Sequence, residues 1–173
     1  MVQVAEPIAD QLRCGAVALG MMLSQSQLEQ LVAYTHLLGR WNEKFNLVSR
    51  RDVTRLVPRH LLDSLSISSW LNGASTLDVG SGAGLPGIPL AVAHPGQEFL
   101  LADRSARKAR FLEQAAMHLG LSNVSVHAGD AAALEQSFPC VVARAVAEPA
   151  ELWRLVGHLV GPGGRLVLSL IHI

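Results

Sequence analysis

From Thr76 to Pro89 the chain reads TLDVGSGAGLPGIP. An apolar strand ending in an acid, Leu77-Asp78-Val79, leads into a bend with Gly80, Gly82, Gly84 and Gly87. Glycine turns the backbone at positive φ and admits a ligand where a Cβ would block it. An apolar stretch starts at Ile88, with Pro86 placed to open a helix. The N–H groups and partial positive charge of that helix start are offered to a ligand. The stretch predicts a nucleotide-type cradle at the end of a first parallel strand. Three charged residues close later apolar runs. Asp103 suits ribose hydroxyls, because a carboxylate accepts two hydrogen bonds at once; its other reading is a cap for the helix from Ser105. Asp130 either meets an adenine amino group or caps a turn. Arg144, among Val142, Ala143, Ala145 and Val146, needs a partner, either substrate or a structural acid.

The elements that must position these groups alternate from residue 74 onward. Apolar runs at 75–79, 98–102, 124–128, 140–143 and 165–170 read as strands. Helical patterns at 85–93, 105–119 and 149–159, with a short turn near Ala131, lie between them. Strands alternating with helices imply parallel pairing and a doubly wound α/β sheet. Ligands in such sheets sit beyond the carboxyl ends of the strands, at the switch point. Gly80, Asp103, Asp130 and Arg144 all follow strand ends and so belong to one rim.

The preceding part is helical. Residues 7–20 form a short amphipathic pattern, and Ser24 caps a longer one with Leu28, Leu31, Val32, Leu38, Trp41 and Phe45 on one stripe. Asn42 and Asn46 interleave with aromatics near its end, as capping residues do. Asp52 opens a further segment, and Pro58 predicts a bend or break near Val57. Arg59 and Asp63 have the spacing to pair across one turn, and His60 reads as a packed or hydrogen-bonded histidine. The expected organisation is a helical extension over residues 1–72 and an α/β domain over residues 73–173.

Composition excludes several classes. With 173 residues, half of them hydrophobic and 16% charged, the chain is globular. No apolar run is long enough for a membrane span, and residues 1–20 lack a signal-peptide pattern. Cys14 and Cys140 are isolated, which argues for a reducing cytoplasm and against a metal site. Net charge is zero, yet ten of the fourteen basic residues fall in two stretches: Arg40, Lys44, Arg50, Arg51, Arg55 and Arg59, then Arg104, Arg107, Lys108 and Arg110. Such clustering points to RNA, whose backbone needs several cations on one face.

Two ligands compete for the cradle. Gly82-Ala-Gly84-Leu-Pro-Gly87 matches the dinucleotide fingerprint, with Asp103 at about the expected ~20-residue distance. With Asp78 and Gly80 added, the pattern instead resembles the first motif of class I methyltransferases, which bind S-adenosylmethionine. More specifically, the chain resembles the RsmG (GidB) family of bacterial ribosomal RNA methyltransferases, which act on N7 of a guanine in 16S rRNA. The resemblance spans residues 19–168. It rests on WN---NL at Trp41 to Leu47, RH--DSL at Arg59 to Leu65, DVGSGAGLPGIPL at Asp78 to Leu90, Lys108 to Leu112, and Arg144-Ala145.

The resemblance implies a Rossmann-like class I methyltransferase fold and S-adenosyl-L-methionine as cofactor. It implies a cofactor site of Asp78, Gly80, Gly82, Gly84, Leu85, Asp103, Asp130, Ala131, Ala132 and Arg144, with Arg144 also positioning substrate. Asn42, Lys44, Asn46, Arg50, Arg59, His60, Asp63, Arg107 and Lys108 are implied on the RNA side. The partner is 16S rRNA within the 30S subunit, and the enzyme is expected as a monomer without metal. The sequence departs from the family at Ala131-Ala132, where Ala-Glu is usual, and at Asp130, where Arg is common. The family continues past strand five with a Lys-Gly pair and two final strands; Ser169-Leu170-Ile171-His172-Ile173 replaces that here, so those strands are expected to be missing and strand five to be an apolar edge. Rival readings are a methyltransferase for a protein or small molecule, a nicotinamide-dependent oxidoreductase, and an RNA-binding assembly factor with a dead cradle.

Overall fold

The computed structural model describes residues 7–49, 55–144 and 148–169. Arg50, Arg51, the helix start at Asp52, Ala145, Val146 and residues 170–173 lie outside the described residues. Five strands form one sheet: β1 (Ser75–Val79), β2 (Glu98–Asp103), β3 (Val124–Ala128), β4 (Phe138–Arg144) and β5 (Val160–Ser169). Their order is β3-β2-β1-β4-β5 and every pairing is parallel. The order reverses between β1 and β4, which puts the switch point beside the glycine-rich bend.

Helices cover both faces, as apolar strands buried on two sides require. On one face a cluster including Leu12, Leu31, Leu65, Ile88, Phe99 and Phe111 joins α1 (Ile8–Ala18), α2 (Gln25–Phe45) and α3 (Leu62–Ser66) to α4 (Gly87–Ala93) and α5 (Ala106–Leu119). On the other, Leu77, Val79 and Val141 pack with Leu152 and Val156 of α6 (Pro149–Val156). The first cluster runs across the expected boundary at 72/73, so the N-terminal helices share the core of the sheet.

Single polar residues fasten that packing. Ser24 and Gln27 make a reciprocal capping box at the start of α2. The Gln27 amide then donates to the carbonyls of Val92 and Ala93 at the end of α4, at 3.0 and 3.2 Å. Gln30 donates to the Leu119 carbonyl at the end of α5, at 2.8 Å. Helix ends carry orphan carbonyls, and α2 supplies donors to three of them on two helices.

Two sequence expectations change. Of the bend or break expected near Val57, the break is not what forms: from Val57 the chain takes a π-helical turn, Val57–Leu61, that contains Pro58 and runs into α3. Proline has no N–H to contribute, and the wide turn accommodates its ring. β5 begins five residues before the expected start at Arg165. The pairing jumps from Phe138↔Val160 to Cys140↔Arg165, so Gly161 to Gly164 form an irregular lead-in. Among the described helices none is long and apolar enough to cross a membrane.

Candidate cofactor and acceptor site

A cavity of about 380 Å³ opens beyond the carboxyl ends of β1, β2 and β4. Gly80, Gly82 and Leu85 line it, followed by Asp103, Asp130, Ala131, Ala132 and Arg144 from the later strand ends. The bend holds its shape through the backbone: the Gly80 and Ser81 N–H groups both donate to the Ala102 carbonyl, at 2.9 and 3.0 Å. The volume suits a small-molecule ligand.

Asp78 and Gly84, both expected in the cofactor site, are not in the cavity wall. Along β1 the side chains alternate, so Asp78 shares the face of its register neighbours Leu101 and Val142, under α4. It is fully buried, and its Oδ2 accepts the Gly87 N–H at 2.9 Å. The start of α4 is therefore aimed at Asp78 rather than at a ligand. Burial pushes the Asp78 carboxyl up to about 7, against the pull of the Gly87 and Ser81 hydrogen bonds and of Arg144. A Cβ on Gly87 would collide with Leu101 Cδ2 and stand 2.6 Å from Asp78 Oδ2. Gly84 has φ +83°, and a Cβ there would meet Ile88 Cγ1 at 2.6 Å. Both glycines permit close packing behind the cradle.

Asp103 does reach the cavity. Its Oδ2 accepts the Gly82 N–H at 2.9 Å and its Oδ1 the Ser105 N–H at 2.8 Å. It ties the bend to the end of β2, and each oxygen retains a lone pair for a ligand hydroxyl. It is not the cap of α5: Ser105 is, accepting from Lys108 N. Asp130 accepts the Ala132 N–H at 3.1 Å, capping the 3-10 turn Ala131–Ala133, and approaches Arg104 at 3.9 Å.

The side of the cavity around Arg144 and Leu47 is built by two motifs. In RH--DSL, His60 is buried and its Nδ1 lies 3.0 Å from Arg144 Nη1. Three residues on, Asp63 Oδ2 accepts the Ser169 hydroxyl at 2.8 Å. Arg144 and Ser169 are register partners at the ends of β4 and β5, so one face of the 57–66 helix holds two adjacent strand ends. In WN---NL, Asn42 is buried and its Oδ1 accepts the Val48 N–H at 2.8 Å. Asn46 is the left-handed cap of α2, at φ 46°, and Leu47 then enters the cavity wall. His60, Asn42 and Asp63, implied on the RNA side, are thus engaged by the protein itself. Lys44, Asn46, Arg59 and Arg107 are exposed.

Sequence reasoning missed several contributors. Tyr34, buried in α2, donates to the Ala83 carbonyl at 2.6 Å and so supports the bend from below; burial raises its pKa. Lys108, expected on the RNA side and not in the cofactor site, lines the cavity from the first turn of α5. Leu152, Leu155 and Val156 of α6 close another wall. For Leu47 the signal was in hand, since it ends the WN---NL motif. For α6 only the helical period was visible. Arg107 of the second basic cluster lies 5.7 Å over the ring of Phe45, the residue next in sequence to Lys44 of the first. Among the described residues no group of His, Cys, Asp and Glu could hold a metal.

The chain is similar in sequence and in fold to known proteins. The family model GidB, described as rRNA small subunit methyltransferase G, matches residues 27–169. The ribosomal RNA small subunit methyltransferase G of Nitrosococcus oceani is 46% identical over 155 residues, covering 88% of this chain and 72% of that protein. A SAM-dependent methyltransferase from Aquifex aeolicus superposes with a TM-score of 0.55 at 18% identity, covering 75% of this chain and 71% of that one. A glycopeptide N-methyltransferase complexed with S-adenosyl-L-homocysteine superposes at 0.54 and 17% identity, covering 63% and 47%. These two likenesses concern the fold.

Proposed function

This chain belongs to the GidB family, rRNA small subunit methyltransferase G, and from that premise we propose that it moves a methyl group from S-adenosyl-L-methionine to N7 of a guanine in 16S rRNA. The carrying observation is the cavity itself. It sits at the switch point, with the Asp103 carboxylate in its wall, the glycines of the bend in its floor, and Arg144 at the end of β4.

The residues present fit that cofactor. Asp103 has lone pairs for ribose hydroxyls. Gly80 and Gly82 leave the floor open, and a Cβ at Gly82 would meet only the Gly80 carbonyl, at 3.7 Å. Leu85, Leu152 and Val156 offer apolar wall to an adenine ring, beside the backbone of Ala131 and Ala132. When bound, S-adenosyl-L-methionine supplies an electrophilic sulfonium methyl. Guanine N7 carries a lone pair and no proton, so no side chain need act as base. The chain contributes alignment and exclusion of water. Arg144 holds the base or a phosphate through its guanidinium donors. Exposed Lys44, Arg59 and Arg107 meet the RNA backbone. We read the working form as a single chain acting on the 30S subunit in the cytoplasm.

The test is methyl incorporation into 30S subunits from a strain lacking the modification. The wild type should label one guanine at N7, and Arg144→Ala should lose at least tenfold in rate. Label in another nucleotide would overturn the assignment, and equal rates would remove Arg144 from it.

A further inference from the structure

We propose that His60 is a positioning residue that aims Arg144 at the acceptor, and that it does so as the neutral imidazole with its proton on Nε2. The inference rests on the reading of Arg144 as the residue that holds the acceptor.

The geometry is specific. Arg144 Nη1 and His60 Nδ1 are 3.0 Å apart. A guanidinium carries donors only and keeps its charge, so the imidazole nitrogen facing it must be the acceptor. That fixes the tautomer: Nδ1 bare, Nε2 protonated. An imidazolium, or the tautomer with its proton on Nδ1, would point N–H against N–H. His60 is 4% exposed and held in turn by its element. The Ser64 hydroxyl donates to the His60 carbonyl at 2.6 Å. Asp63 ties the same helix to the end of β5 through Ser169. The ring is thus carried on a segment fastened to the two strand ends it serves. Arg144 is a long side chain at a cavity wall, with many rotamers to lose. An acceptor on a fixed helix selects among them before the substrate arrives.

Long-range nitrogen–proton NMR of the whole chain tests the tautomer directly, with the His60 signals identified by their loss in His60→Asn. The expected pattern at pH 7 is a neutral ring with Nε2–H, whose Nδ1 resonance shifts in Arg144→Met. A ring protonated on Nδ1, in either form, overturns the proposal.

Kinetics test the role. Asn can place a carbonyl acceptor near the Nδ1 position, whereas Leu cannot. His60→Leu should lower kcat at least tenfold while changing the KM for S-adenosyl-L-methionine by less than threefold. His60→Asn should recover most of that rate. If Asn is as slow as Leu, the residue does not act by accepting from Arg144. Should the wild type transfer no methyl group, the proposed function fails, and the NMR result still decides the His60 assignment.

Discussion

The Tyr34 hydroxyl donates a 2.6 Å hydrogen bond to the carbonyl of Ala83, across 49 positions of sequence. One end is in the middle of α2 and the other in the bend that floors the cavity. The N-terminal helices are therefore part of the foundation of the cavity, beyond any part in RNA contact.

Tyr34→Phe removes that donor and leaves a buried carbonyl unsatisfied, which costs about 1–3 kcal/mol. Urea denaturation should show a lower midpoint with an unchanged slope, and Tm should fall by roughly 2–4 °C per kcal/mol. S-adenosyl-L-homocysteine should also bind more weakly by calorimetry. An unchanged midpoint would mean that the bend holds itself.

Asp78 makes stability depend on pH in an unusual direction for a carboxylate. Burial raises its folded value from 3.8 to about 7, so the folded state binds the proton more tightly than the unfolded chain. That contribution is complete below about pH 4 and is lost as pH rises through 7. Asp78→Asn does not titrate. Measured against it, the wild type should lose stability between pH 4 and 8, by at most on the order of 1.4 kcal/mol per unit. A constant difference would place the Asp78 carboxylate in a wetter site.

The two buried glycines behind the cradle should be intolerant. Gly87→Ala and Gly84→Ala each drive a Cβ into packed neighbours, and overpacking costs about 1–3 kcal/mol, with backbone strain added at Gly84. Gly96, with open space around its Cβ direction, is the control: Gly96→Ala should stay within about 0.5 kcal/mol of wild type. Thermal melts of the three variants decide it.

Asp103→Asn replaces one carboxylate oxygen by an NH2 that cannot accept from Gly82 or Ser105. Affinity for S-adenosyl-L-homocysteine should fall at least tenfold, or about 1.4 kcal/mol. Calorimetry with the folded variant checks this, and affinity equal to wild type would exclude Asp103 as a ligand contact.

Lys44→Ala and Arg107→Ala should weaken RNA binding mainly at low salt. Each should reduce the slope of log K against log salt by about 0.7–0.9 if it neutralises one phosphate. Fluorescence titration of a 16S rRNA fragment at several salt concentrations measures this, and an unaltered slope would take that cation off the RNA path.

Much of this was legible beforehand because the signals were local. The glycine bend, the Ser24 cap and the strand ends at Asp103 and Arg144 follow from backbone preferences and apolar runs, which short stretches of sequence carry. The site was legible as a rim and less so as a wall. Asp78 and Asp103 look alike in sequence, each an acid at the end of an apolar run. Strand alternation puts both on one face of the sheet. But Asp78 pairs with Leu101 and is covered by Gly87 at the start of α4, while Asp103 lies two residues beyond Leu101, at the end of β2 beside the bend and the cavity.

The same division governs the helical part. Sequence alone determined that residues 25–45 form a helix and that Asn42, His60 and Asp63 belong to unusual motifs. Only the tertiary structure decided that Asn42 bonds Val48, that His60 meets Arg144 and that Asp63 meets Ser169. The latter two pairs join residues 84 and 106 positions apart, and no local preference encodes such a distance. It is set when the apolar faces of α2 and α3 bury against α4 and α5, which cover the sheet, and the polar side chains then satisfy one another where that packing leaves them.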